Sequence, residues 1–440
     1  MMTLNVNDPR FDGASDADCI QKAVDAAGSG SVRTVCIPRY NRRRNADVWE
    51  IGRAVLLPDD VTILLDDCRL RLADQTVDNI FRNRNAYGKP SKAADTAQHG
   101  IRILGNGDAV LDGGKDSGVR EQHWSGGPHP RTGNLILLVN VEDYEIRRIR
   151  CVNMRYWAIN QIACRDGHLS DIRFSITEHH PNQDGINLRM GCEHITVENI
   201  SGRTGDDIVA LTALACCDDR DLLPPDLRPD IHDVVIRNVR GNTFTTVVAL
   251  RATDGSKLYD ITIENITGLP DPASSGPVGV VRLGDCNWYR DHPTRLGDMH
   301  DITVRNVRSY NFGCVFLEGA LENCRISEIY GEGATRFAVS TYQNEGICGE
   351  TGCMVTGGVS LRNVVIEKVF YSGDPDDPAY ASPNIRLAPY KGKPFPGAAL
   401  YFLCMQESNT FENAVFRDIF AREGSELLMR EKGPEPDIRR

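Results

Sequence analysis

No stretch of this 440-residue chain approaches the roughly 18 consecutive apolar residues of a membrane span. The start, Met1-Met2-Thr3-Leu4, has no basic segment followed by an apolar run, so no secretory leader is read there. Positive charge is not in excess either: 50 Lys and Arg stand against 61 Asp and Glu, a formal net charge of −11. General nucleic-acid binding needs a basic face and is not expected. A long polyanion is also a poor match, unless local basic patches serve it. The 14 cysteines follow no repeated spacing. Cys216 and Cys217 are sequence neighbours that cannot easily bridge, and Cys348 and Cys353 fit no standard zinc pattern. Free, buried thiols in a reducing cytoplasm are the expectation. A secreted chain whose leader had been cut away would look the same.

What is present is a repeat. The segments Tyr144–Arg150, Leu169–Ile176, Glu193–Ile200, His232–Val239, Tyr259–Ile266 and His300–Val307 all alternate apolar and polar residues. Weaker copies follow at Cys324–Ile329, Arg362–Val369 and Glu412–Ile419. Alternation marks a strand with one buried face. The first apolar position recurs at Ile146, Ile172, Ile195, Val234, Ile261, Ile302 and Ile326, at intervals of 26, 23, 39, 27, 41 and 24 residues. A period near 25 fits one coil of a right-handed parallel β-helix, in which each coil pairs with the next around one continuous core. The Leu-x-x-Leu-x-Leu pattern of a leucine-rich repeat is missing. The long intervals carry insertions, at Cys216–Pro229, Pro270–Pro277 and Asn287–Leu296. Asn199, Asn238, Asn265 and Asn306 recur at one place in the repeat. Asn tolerates left-handed backbone and bonds along a stack, so an internal ladder is predicted there.

One all-β domain over 1–440 is therefore expected. Ser15–Ala27 reads as a capped amphipathic helix with Ile20, Ala23, Val24 and Ala27 as its apolar stripe, closing the open end of the stack within a cap region of about 1–30. Strands follow near Thr34–Pro38, Trp49–Ile51 and Val61–Leu65. Residues 74–100 are polar and aperiodic and read as a long loop, and 431–440 as a frayed tail.

The chemistry concentrates in three segments on adjoining coils: Asn153–Cys164, Asn182–Leu188 and Gly205–Leu211. Asp184 and Asp206 are 22 residues apart, about one coil, which would set them on neighbouring rungs roughly 5 Å apart. Asp207 adds a third carboxylate. Acids crowded together hold a proton between them, and glycoside hydrolysis uses such a set: one carboxyl protonates the leaving oxygen and another activates water. A regular strand would send Asp206 and Asp207 to opposite faces, so Gly205 is expected to permit a bulge there, and Gly185 a bend after Asp184.

Asn182-Gln183-Asp184-Gly185-Ile186 followed one coil later by Gly205-Asp206-Asp207 resembles glycoside hydrolase family 28, the pectin-degrading polygalacturonase and rhamnogalacturonase group. Its Asn-Thr-Asp-Gly-Ile and Gly-Asp-Asp motifs stand at this spacing. Asn153, Trp157, Ile159 and Cys164 also keep the pattern of its preceding coil, with Asn160 where that pattern has His. Asp12-Gly13-Ala14-Ser15-Asp16 resembles the family's entry segment. The likeness runs over about residues 5 to 420. It implies an inverting mechanism without metal or other cofactor, with Asp206 as general acid, Asp184 and Asp207 holding and deprotonating water, and Asn182 positioning the site. The chain departs from the family at three places. Thr246 stands near the His of Gly-His-Gly, Val281-Arg282-Leu283 keeps only the Arg of Arg-Ile-Lys, and Thr212 replaces a Lys. The Arg-Ile-Lys stretch grips the substrate's carboxylate in the family. Arg251 and Arg282 are the candidates to do so here, with His180 lining the cleft and Trp157 as a sugar platform. Tyr156, His123, Trp124, Trp288 and Tyr289 are further candidates for its walls. The expected substrate is a pectin-like, acidic or deoxysugar oligosaccharide. A polysaccharide lyase on the same architecture and a non-catalytic glycan-binding β-helix remain as alternatives. A membrane is not an expected partner, and the sequence leaves the oligomeric state open.

Overall fold

Short apolar strands that bury one side chain in two must find a partner layer, and within each unit the described coils find it in their neighbours. The computed structural model describes residues 2–88, 91–115, 130–214, 218–253, 255–270, 279–284, 293–310, 312–341, 359–377, 391, 395–402, 407–430 and 433–439. The fold is a right-handed parallel β-helix with a short N-terminal helix. The described residues group into two compact units, Met1–Asp206 with Cys217–Pro229, and Asp207–Cys216 with Asp230–Arg440.

In the first unit, Val35, Ile63, Ile103, Ile146, Leu169 and Val197 form one register row across parallel strands. All are buried. Each such side chain contributes about 1.5–3 kcal/mol on leaving water. A second sheet runs through Val55–Leu57, Phe81–Asn83, Ile136–Val139, Ile159–Ile162 and Ile186–Arg189. Helix α1 spans Asp16–Ser29. The Ser15 side chain accepts the Asp18 N–H, and the Asp18 carboxylate accepts the Ser15 N–H, a full capping box. Ile20, Ala23, Val24 and Ala27 are fully buried, as their spacing predicts. Ser15→Ala is expected to cost about 1 kcal/mol, read from the midpoint of a urea titration.

The second unit repeats the plan. Ile236, Ile263, Val304, Ile326, Ile366 and Phe416 make its core row. Its other sheet runs through Val209–Leu214, Thr246–Thr253, Gly279–Leu283, Gly313–Leu317, Phe337–Ser340, Ala398–Phe402 and Glu426–Arg430.

Within the units, the repeat aligns Val234, Ile261 and Ile302 correctly. Elsewhere it slips: Ile146 pairs with Leu169, not Ile172, and Ile326 with Val304, not Ile302. The cause of the first slip is Asp171, whose left-handed φ of 56° shifts the alternation within the strand Arg165–Ser175, so that Leu169 and Ile172 are both buried. The second is a two-residue shift, which leaves the buried face unchanged and is invisible to alternation. Asn199, Asn238, Asn265 and Asn306 are all left-handed, with φ of 54° to 59°. Asn306 donates to Asn265 (2.8 Å) and Asn265 to Asn238 (3.0 Å). The ladder is on the surface rather than internal. The 74–100 segment is not only loop: Phe81–Asn83 joins the sheet, and Ala93–Thr96 is one helical turn. Three-residue strands are too short to show a period. In the expected tail, Ile438–Arg439 pairs with Phe416 and Arg417. Eight free cysteines are described, all buried except the half-buried Cys36; Cys216, Cys217, Cys348 and Cys353 lie outside the described residues. No described helix is long and apolar enough to cross a membrane.

Candidate functional site

Two bends carry the acidic residues. Asp184 lies just before the strand Ile186–Arg189, and residues 204–208 connect the strands Glu193–Arg203 and Val209–Leu214 without joining either. Asp206 and Asp207 are thus freed from strict alternation. Gly205 does this by its size. A Cβ there would sit 2.5 Å from the Gln183 Oε1 and 2.6 Å from the His180 carbonyl.

In the first unit, Asp206 leans on the Asn182–Asp184 turn. Its Oδ2 accepts the Asn182 N–H at 3.1 Å, and Asn182 is left-handed at φ 57°. The Gln183 carbonyl accepts N–H groups from both Gly205 (3.1 Å) and Asp206 (3.3 Å). The Asp206 backbone therefore abuts Gln183, one residue before Asp184. Thr204 Oγ1 donates to the Asp206 carbonyl at 2.5 Å. Asp184 is buried, and its Oδ2 accepts from Asn187 Nδ2 at 3.1 Å. Asn187 lies in register with Asn160, the residue at the resemblance's His position; Asn160 donates to Asn134 Oδ1 at 3.1 Å.

Asp207 belongs to the second unit and is only 1% exposed. Its Oδ1 accepts from the Thr245 hydroxyl at 2.9 Å and its Oδ2 from Arg251 Nη1 at 2.8 Å. Arg251 lies directly opposite Thr212, at the next rung. Arg282 is in register with Ala249, a further rung on, and its Nε is 3.5 Å from Glu318 Oε1. Both candidate carboxylate-gripping arginines thus engage internal acids.

The remaining candidates are placed as follows. One face of the Trp157 ring is covered by the Arg189 guanidinium, 4.6 Å from its centroid, so that face is no open platform; Tyr156 packs 4.7 Å from the same ring. Arg189 is paired with Asp219 at 3.2 Å. Asp219 belongs to the insertion, whose Leu222, Leu223 and Leu227 roof Leu137, Val139 and Ile162 on one sheet face. His180 acts through its backbone, donating to Gln183 Oε1 at 2.7 Å, while its ring is 4.0 Å from Glu178. His123, Trp124, Trp288 and Tyr289 lie outside the described residues. Asn187, Thr245 and Glu318 escaped the sequence reading, since only their partners were singled out there, and so did the pair Arg189 and Asp219, neither of which lies in a motif.

Burial holds the His179 imidazole below its ordinary 6.5, against the pull of the Gly205 carbonyl, 2.9 Å from Nε2. The unfolded chain therefore binds the proton more readily. The stability that follows is complete above about pH 6.5 and is lost as pH falls through that value toward the depressed one. His179→Gln, which can keep the bond to Gly205, is expected to flatten the fall in melting temperature between about pH 6.5 and 5. An unchanged slope would exclude His179 as its source.

Residues 80–215 match the sequence profile described as Glycosyl hydrolases family 28, about a third of the chain and inclusive of all three aspartates. No curated protein matches. Among solved structures, a tailspike protein mutant of E. coli bacteriophage HK620 in complex with pentasaccharide aligns with TM-score 0.60 at 11% identity, over 96% of this chain and 72% of that one. The mannuronan C-5 epimerase AlgE4 A-module from Azotobacter vinelandii aligns with TM-score 0.52 at 13% identity, over 95% and 99%. A hyperthermoactive exopolygalacturonase from Thermotoga maritima aligns with TM-score 0.49 at 11% identity, over 83% and 87%.

Proposed function

We propose that this chain hydrolyses glycosidic bonds in oligosaccharides by an inverting, metal-independent acid/base mechanism. The observation that carries the proposal is the coincidence of the family 28 match with all three aspartates, two of them on bends tied together through the Asn182 N–H. In this mechanism Asp206 donates a proton to the leaving oxygen as the C–O bond breaks. Asp184 and Asp207 hold a water, take its proton, and let its oxygen bond the anomeric carbon. Asn182 fixes the acid through its backbone, and Arg251 and Thr245 fix Asp207. Tailspike and epimerase relatives show that one fold hosts several chemistries, so the assignment rests on the site.

The test is mass spectrometry of an oligosaccharide panel, uronate, rhamnose-containing and neutral, after incubation in ¹⁸O water with and without EDTA. Hydrolysis puts one ¹⁸O into each new reducing end and is indifferent to EDTA. Products that split without gaining water would mean a lyase. Binding without turnover would mean a glycan-binding β-helix.

A further inference from the structure

Arg189 ends the strand that follows Asp184, Arg251 bonds Asp207, and Arg282 lies on the strand paired with that of Arg251; each faces an acid buried almost completely. Arg189 Nε is 3.2 Å from Asp219, Arg251 Nη1 is 2.8 Å from Asp207, and Arg282 Nε is 3.5 Å from Glu318. The acids' side chains are 2%, 1% and 2% exposed, and the arginines' 7%, 13% and 6%. These are not surface pairs that water could loosen. A substrate carboxylate could bind such an arginine in only two ways. It could displace the internal acid, stranding a buried negative charge, or it could crowd in beside that acid, bringing two like charges together. The whole chain adds to the repulsion with its net charge of −11.

We infer that the sugar whose bond is cleaved is neutral, a hexose or deoxyhexose recognised through its hydroxyls, and not a uronate. The inference rests on the hydrolase reading above and sharpens it. Glu318 is then a specificity-determining residue: it fills, from within the chain, the place that a substrate carboxylate would take on Arg282. Asp207 does the same for Arg251 while serving the chemistry.

The experiment uses the full chain and matched pairs of oligosaccharides, identical in linkage but carrying a neutral hexose, a deoxyhexose or a hexuronate at the cleaved position. The neutral members are expected to show kcat/KM about 100-fold above the uronate member. A uronate cleaved equally well or better overturns the inference and leaves the hydrolase reading standing. If no member is cleaved, the hydrolase reading fails. Titration calorimetry with the same pairs then decides the inference by itself: tighter binding of the neutral member supports it, and tighter uronate binding, or none of either, overturns it. Glu318→Gln removes the competing charge at almost constant volume. It is expected to raise the uronate-to-neutral ratio of kcat/KM about tenfold. An unchanged ratio in a folded variant overturns the assignment to Arg282 and Glu318.

Discussion

Asp206→Asn is expected to lower kcat by about a thousandfold, within the range that a positioned general acid supplies. The substitution is close to isosteric. Its side-chain carbonyl can still accept the Asn182 N–H that the carboxylate accepts now, so the bend keeps its tie to the Asn182–Asp184 turn. What disappears is the transferable proton. Stability should stay within about 0.5 kcal/mol, because Asp206 is only half-buried and its backbone bonds to Gln183 and Thr204 are untouched. A sugar with an activated leaving group, such as a nitrophenyl glycoside, needs less protonation and should recover much of the rate. Loss of rate without that recovery would point away from acid catalysis. Unaltered turnover of ordinary substrate would remove Asp206 from the mechanism.

Phe337→Ala should be among the most damaging single changes to stability, about 3–5 kcal/mol. The ring is fully buried and central to an aromatic cluster. It meets Tyr401 at 4.9 Å and Phe316 at 5.8 Å, from the rungs on either side in one sheet of the second unit, and edge-on at 5.0 Å Phe312, which lies just before the strand Gly313–Leu317. Truncation removes the apolar transfer and these ring contacts together, and the backbone rows on either side resist collapse into the void. Urea denaturation followed by circular dichroism measures the loss. A cost under about 1 kcal/mol would show that the cluster can close over the gap.

The sequence disclosed much of this because a solenoid writes its plan repeatedly. Alternation exposed the strands, the left-handed Asn positions recurred visibly, and the aspartates stood at a one-coil interval. What stayed hidden has physical causes. Register failed at Ile146 because a left-handed Asp171 changes phase within a strand, and no periodicity reports a φ angle. Phe81–Asn83 is ordered by strands on either side, Val55–Leu57 and Ile136–Val139, and not by its own three residues. Arg282 looked like a grip for substrate because nothing nearby announces Glu318, 36 positions later. The Gly205 backbone was expected to supply freedom, when the position needs the absence of a Cβ beside Gln183.

The asparagine ladder has a consequence for how such a chain can grow. Asn238 and Asn265 are 27 residues apart, and Asn265 and Asn306 are 41 apart. Yet Leu258–Gly268 meets Ile231–Asn242 and Met299–Ser309 in the same alignment on both sides. Each rung therefore resets the count. An insertion of 14 residues is absorbed where it occurs and passes no error downstream. Like a tooth dropping into a notch, the left-handed asparagine indexes the coil to its neighbour whatever length of chain has intervened, which leaves the connecting segments free to lengthen, shorten or be exchanged while the frame beneath them keeps time.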